Sequence, residues 1–138
     1  MAATPSLDTG DTEAVRAVPQ RIMDAWAEHD ADRFAEVFTE NATLILPGDV
    51  FLTGREDIRS FMRNAFAGPF KGTRVTGEPL SVRPLAAGAA VLVTQGGVLA
   101  PGDTEPTAER AIRATWVLVK EAVGWRIASY QNTPIAAA

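Results

Sequence analysis

RATWVLVKEAVGWRIASYQNTP, residues 113–134, holds two apolar alternating runs around a short break that ends in Gly124. The runs are rich in Val, Ile, Trp, Tyr and Thr, whose branched or flat side chains suit a pleated surface, and each is about a strand long. The stretch reads as an antiparallel hairpin. With Glu121–Gly124 as a four-residue loop, Lys120 lies opposite Trp125, Leu118 opposite Ile127 and Trp116 opposite Ser129, so one face is mostly apolar. The other face carries Val117 and Val119 near the turn and pairs Thr115 with Tyr130 and Arg113 with Asn132 at the open end. A guanidinium, a hydroxyl, a phenol and an amide at one end of an apolar wall suit a ligand cavity. They suit a wet sheet end or a subunit contact as well, and a slip of one residue would scramble the assignment.

Upstream of the hairpin, the pattern reads as strand from Gly72 onward, over 73–85, 89–99 and 108–120, with Gly, Pro and acidic turns between. Pro79 and Pro84 push the first of these to a sheet edge or a bulge. Before Gly72 the period is helical. Val15, Val18, Ile22 and Trp26 recur at spacings of three and four, with Pro19 predicting a kink or a later helix start. Asp30 caps a short second helix with Phe34, Val37 and Phe38 facing inward. Ala42–Leu46 and Val50–Leu52 are short strands around a turn at Pro47–Asp49. Thr53 and Glu56 have the spacing of a capping box for a third helix, whose stripe is Ile58, Phe61, Met62, Ala65 and Phe66 and whose end is Gly68-Pro69. Residues 1–10 read as a disordered tail, and 11–138 as one α+β domain in which a curved antiparallel sheet carries its helices on the concave side. The space between sheet and helices is where a small molecule would go.

A chain of 138 residues fits one domain. The net charge of −4, with the arginines spaced and no basic run, argues against nucleic acid as a partner. The absence of cysteine excludes disulfides, thiolate metal sites and a cysteine nucleophile. The start lacks a signal-peptide pattern and no apolar run reaches membrane-spanning length, so a cytoplasmic protein without a membrane partner is expected. The Gly pair after Gln95 opens no helix, which removes the dinucleotide fingerprint, and no cofactor is expected.

The order of elements resembles the nuclear transport factor 2-like (SnoaL-like) superfamily, in which a cone-shaped sheet of about six strands wraps around three helices. RIMDAWAEHDADRFAEVF (21–38), ATLILPGDVFLTGRE (42–56), VLVTQGGVLAPG (91–102), RAIRATWVLVK (110–120) and GWRIASYQNTP (124–134) look more specifically like the SgcJ-type small proteins of enediyne antibiotic gene clusters. The resemblance covers about Pro19 to Pro134. It implies a homodimer through the outer face of the sheet, a pocket within each cone, and a role in making or maturing a polyketide-derived polyene. Independently of it, the last three strands are apolar on both faces, and one face needs cover. In the superfamily the open end of the final two strands lines the cavity, which implies that Arg113, Thr115, Tyr130 and Asn132 line it here.

Related isomerases place a carboxylate at the end of the first strand and a tyrosine on the first helix. The matching positions here hold Leu46 and Ile22, neither of which moves a proton. Asp49, after the Pro-Gly turn, could reach the pocket mouth but suits an Asx-type turn. Asp30 and Asp32 suit helix capping. His29, the single histidine, lies where the first helix ends, as a base oriented by Asp30 or as a solvated side chain near a helix C-terminus. With one His and no Cys, no metal site is expected. Trp26 on the first helix, and Phe61, Met62 and Phe66 on the third, fit core packing or a cavity wall. Gln95 is a mid-strand amide that needs a partner, from a neighbouring strand or a ligand.

The leading reading is a pocket protein that binds a hydrophobic conjugated polyene in enediyne biosynthesis and shields it or helps process it. The pocket residues are then Arg113, Asn132, Tyr130, Thr115, Trp26, Gln95, Leu46 and Phe66. The rivals are a cyclase or isomerase with Tyr130, His29 or Asp49 as acid–base group, and a dimerisation scaffold that bridges partner enzymes over an idle pocket.

Overall fold

A computed structural model describes residues 5–136. Helix α1 spans Thr9–Ala27, two residues longer at its start than the sequence pattern, because the Asp8 carboxylate accepts from the Asp11 N–H at 2.6 Å. The expected tail therefore loses Thr9 and Gly10 to the helix, and its residues 1–4 lie outside the described residues. Val15, Val18, Ile22, Ala25 and Trp26 form the buried stripe, and the helix runs through Pro19 without a break. Helix α2, Ala31–Glu36, is capped by Asp30, whose carboxylate accepts from Arg33 N–H at 3.0 Å.

Strands β1 (Phe38–Leu46) and β2 (Val50–Thr53) form an antiparallel hairpin, followed by α3 (Arg55–Ala67). The expected Thr53–Glu56 capping box is corrected here: Gly54 is the N-cap residue with no side-chain cap bond, while Thr53 closes β2. Gly54 has φ +92 and its N–H donates to Ala42 O at 2.7 Å, so the backbone tie to β1 fixes the helix start. Strands β3 (Arg74–Ala86), β4 (Ala89–Leu99), β5 (Ala111–Glu121) and β6 (Gly124–Pro134) complete the chain.

The sheet order is β2-β1-β6-β5-β4-β3 and does not close. All neighbours are antiparallel except β1 and β6. β3 is an edge, and its register shifts fall at Pro79/Ser81 and Pro84/Ala86, where proline cannot continue the ladder. The close approach that the Gln95-Gly96-Gly97 segment invites is real: a Cβ on Gly96 would lie 1.9 Å from Thr76 O on β3. The core lies between the three helices and one sheet face, and includes Phe38, Ile58, Met62, Leu92, Leu118 and Ile127.

Candidate functional site

A single extra residue in β6 decides which side chains meet the cavity. The hairpin begins in the expected register, with Lys120 opposite Trp125 and Leu118 opposite Ile127, around a two-residue turn closed by Glu121 and Gly124. Val117 then pairs with Ser129, so Ala128 is unpaired and bulges. Beyond the bulge every β6 side chain changes face relative to β5. Trp116 meets Tyr130, Ala114 meets Asn132, and Ile112 meets Pro134, all along one inward-facing row.

That row borders a cavity of about 670 Å³ between the sheet and helices α1 and α3. Its walls are mostly apolar and carry the aromatic side chains of Trp26, Phe34, Phe38, Phe61, Phe70 and Trp116. Trp26 packs edge-on against Phe66 with ring centres 5.5 Å apart, and its indole N–H donates to Thr73 Oγ1 at 3.0 Å. Trp116 donates to the buried Thr94 hydroxyl at 2.9 Å. Both indoles are thereby fixed with their polar edges satisfied. Glu109 and Arg110 are the charged residues among the lining, in the turn just before β5.

Tyr130 and Asn132 form a polar pair on the inner wall. The Asn132 side-chain N–H₂ donates to the Tyr130 phenol oxygen at 3.0 Å. Trp116 stands perpendicular to the Tyr130 ring, centres 4.9 Å apart. Burial pushes the phenol up to about 12, against a smaller lowering by the Asn132 hydrogen bond. Tyr130 is therefore a protonated donor at neutral pH. The Asn132 Oδ1 atom is buried with no partner.

Of the other expected pocket residues, Leu46 and Trp26 line the cavity, and so does Ile22. Leu46 and Ile22 are thus aliphatic parts of the cavity wall. Arg113, Thr115 and Gln95 do not line it, which corrects the sequence expectation. They face outward and are exposed because the Ala128 bulge reverses the face of Tyr130 and Asn132 but leaves β5 unchanged. The Gln95 amide oxygen accepts from the Arg113 guanidinium at 2.9 Å, so the neighbouring strand supplies its partner. Phe66 is buried among Trp26, Phe34 and His29 behind the cavity wall.

His29 and Asp49 also lie away from the cavity lining. His29 has φ +53 at the α1–α2 corner, stacks on Phe66, and places Nε2 3.1 Å from Phe70 O and 3.0 Å from the Gly72 N–H. It joins the corner to the loop after α3. Asp49 has φ +62 and is exposed in the β1–β2 turn, where Asp tolerates a left-handed backbone. Sequence reasoning passed over Thr94 and Trp116, which the alternation from Leu92 and Leu118 puts on the cavity side. The same holds for Glu109, whose place in a turn before a strand carries no sequence signal for a cavity.

Among the described residues no group of three His, Cys, Asp or Glu side chains could hold a metal ion, and no helix is long and apolar enough to cross a membrane. The arrangement can enclose a flat apolar molecule and offer it a phenol hydrogen.

Comparison with solved structures places this geometry among cystatin-like folds. A domain of unknown function from Nostoc punctiforme is 34% identical, with a TM-score of 0.85 over 94% of this chain and 80% of that one. An NTF2-like protein from Novosphingobium aromaticivorans has 19% identity and a TM-score of 0.79 over 94% and 84% of the two chains. A ketosteroid isomerase-like protein from Erwinia carotovora atroseptica has 19% identity and a TM-score of 0.72 over 94% and 99%. Among curated proteins no relative matches. The profile of the SnoaL-like domain matches residues 15–137, nearly the whole of the described fold, and the chain belongs to that family.

Proposed function

We propose that this protein binds a hydrophobic conjugated polyene in its cavity and shields it or helps process it, as a component of enediyne-type polyketide biosynthesis. The observation that carries the reading is the lining. About 670 Å³ walled by indole, phenyl and aliphatic groups, with its charged residues, Glu109 and Arg110, confined to the turn before β5, suits an unsaturated chain. The segments 21–38, 42–56, 91–102, 110–120 and 124–134, which resemble proteins of enediyne clusters, support the pathway. A cytoplasmic site of action belongs to the same reading.

A cyclase or isomerase is the second reading, favoured by Tyr130 alone. A buried phenol that keeps its proton can donate it, or stabilise an enolate, within the cavity. We also place a homodimer contact on the outer sheet face, where Val91, Val93, Val117 and Val119 are only half-buried beside the Gln95–Arg113 pair. Sedimentation as a monomer at micromolar concentration would remove that contact from the proposal.

The function is tested by mass spectrometry of small molecules carried by the protein when purified from a polyene-producing host. A conjugated apolar passenger is expected. An empty protein, together with no quenching of the Trp26 and Trp116 emission by added polyenes, would end the binding reading.

A further inference from the structure

We propose that Tyr130 makes the cavity selective for a neutral carbonyl conjugated to the apolar chain, over the matching hydrocarbon, alcohol or carboxylate. This rests on the reading that the cavity holds a conjugated polyene, and it names the group that such a molecule must carry.

One hydrogen bond sets the direction of the phenol hydrogen. Asn132 Nδ2 donates to the phenol oxygen, so the phenol hydrogen turns away from that amide nitrogen. Tyr130 donates no hydrogen bond to any described residue, and its side chain borders the cavity. A ligand filling the cavity displaces whatever water meets that hydrogen. A hydrocarbon leaves the donor bare, which a buried polar group resists. A carbonyl accepts it and needs nothing in return.

The alcohol fails for the complementary reason. It can accept from Tyr130, but it brings its own hydrogen into an apolar site. The spare acceptor nearby, Asn132 Oδ1, is buried away from the cavity surface. The Thr94 hydroxyl oxygen, itself buried, already accepts one hydrogen bond, from the Trp116 indole. A carboxylate at Tyr130 would be a desolvated charge. Arg110, the cation among the lining residues, lies in the turn before β5 and faces Asp103 at 4.0 Å. Conjugation matters because a polarised carbonyl oxygen is the better acceptor, and because the flat chain continues along Trp116, which stands against the Tyr130 ring.

The test uses four probes with one polyene skeleton: all-trans-retinal, all-trans-retinol, all-trans-retinoic acid and the corresponding hydrocarbon. No lysine lines the cavity, so the aldehyde is held without an imine. Affinities are read from quenching of tryptophan emission, and the retinal absorption band is recorded in parallel. Retinal is expected to bind roughly five- to tenfold more tightly than the hydrocarbon, the worth of one net hydrogen bond, and more tightly than the alcohol or acid. Its band is expected to lie to the red of its position in an alkane. Tyr130→Phe should erase both the preference and the shift.

Equal binding of retinal and the hydrocarbon to the wild-type protein would overturn the selectivity while leaving the polyene reading intact. The same holds for a preference that survives in Tyr130→Phe. Binding by none of the four would remove the polyene reading and this inference together. The four-ligand comparison on the wild-type protein stands whatever the variant does to folding.

Discussion

Asn132 reaches back along β6 to donate to the Tyr130 phenol oxygen at 3.0 Å, while its own carbonyl oxygen is buried without a partner. An unpaired buried acceptor costs stability, and a side chain kept at such a cost is a mark of function. Asn132→Leu should therefore leave the folding free energy unchanged or raise it by about 1 kcal/mol. The same change should weaken polyene binding, since the phenol loses the group that orients it. Urea unfolding and ligand titration on one variant measure both, and a loss of several kcal/mol would show that the amide is structural.

Tyr130 is the single tyrosine of the chain, so its titration is readable by ultraviolet difference absorption. The folded protein should show no phenolate step near pH 10 and one at about 12. The folded value lies above the unfolded one. The contribution is then fully present below pH 10 and lost as pH rises from 10 to 12, on the order of 2–3 kcal/mol in all. Asn132→Leu removes the one influence that lowers the phenol, and should move the step further up.

The hairpin at residues 113–134 shows what the sequence makes legible. Alternation marks the strands, and a loop over Glu121–Gly124 puts Leu118 opposite Ile127 and Lys120 opposite Trp125, as the structure has them. The bulge at Ala128 carries no local signal, since an alanine between Ile127 and Ser129 breaks no propensity rule. Yet it puts Tyr130 and Asn132 on the face opposite to Arg113 and Thr115, and so only half of that group of four borders the cavity. The expected second helix takes in Val37 and Phe38, and polar Thr39, Glu40 and Asn41 shorten the expected β1; in the structure α2 stops at Glu36 and Phe38 already pairs with Ile127 in β1. The Thr53–Glu56 spacing misled for a different reason. The backbone bond from Gly54 to Ala42 overrides the side-chain cap.

Gly96→Ala should be among the most damaging single substitutions. The added methyl would sit 1.9 Å from Thr76 O and 2.8 Å from Gly77 Cα, both backbone atoms of β3 that cannot swing aside. β3 would have to part from β4 along the cavity wall. A loss of about 3 kcal/mol or more is expected. Thermal unfolding within a degree of wild type would contradict this account of the β3–β4 contact.

Asp11 ties α1 to the hairpin turn. Its Oδ1 accepts from the Trp125 indole N–H at 3.0 Å and lies 3.0 Å from Lys120 Nζ. The Trp125 hydrogen bond first, and Lys120 next, hold the carboxyl below its usual value. A lowered folded value means a contribution present above the ordinary carboxylate range near pH 4, and lost as pH falls through the folded value. Asp11→Asn should be less stable than wild type at pH 7, with the gap narrowing below pH 4. Stability curves that stay parallel down to pH 2.5 would show that the charge is irrelevant.

The cavity and the outer sheet face can be separated by two substitutions. Leu46 is half-buried at the end of β1 and borders open space, so Leu46→Trp adds volume where no neighbour must yield. Stability should change by less than about 1 kcal/mol, while polyene binding measured by equilibrium dialysis falls at least roughly tenfold because the indole occupies the ligand's room. Arg113→Ala removes an exposed guanidinium whose partner is Gln95 on the far side of the sheet. It should leave that binding unchanged, since neither residue meets the cavity. The opposite outcome, binding lost with Arg113 and retained with Leu46→Trp, would place the ligand on the convex face and move the functional site across the sheet.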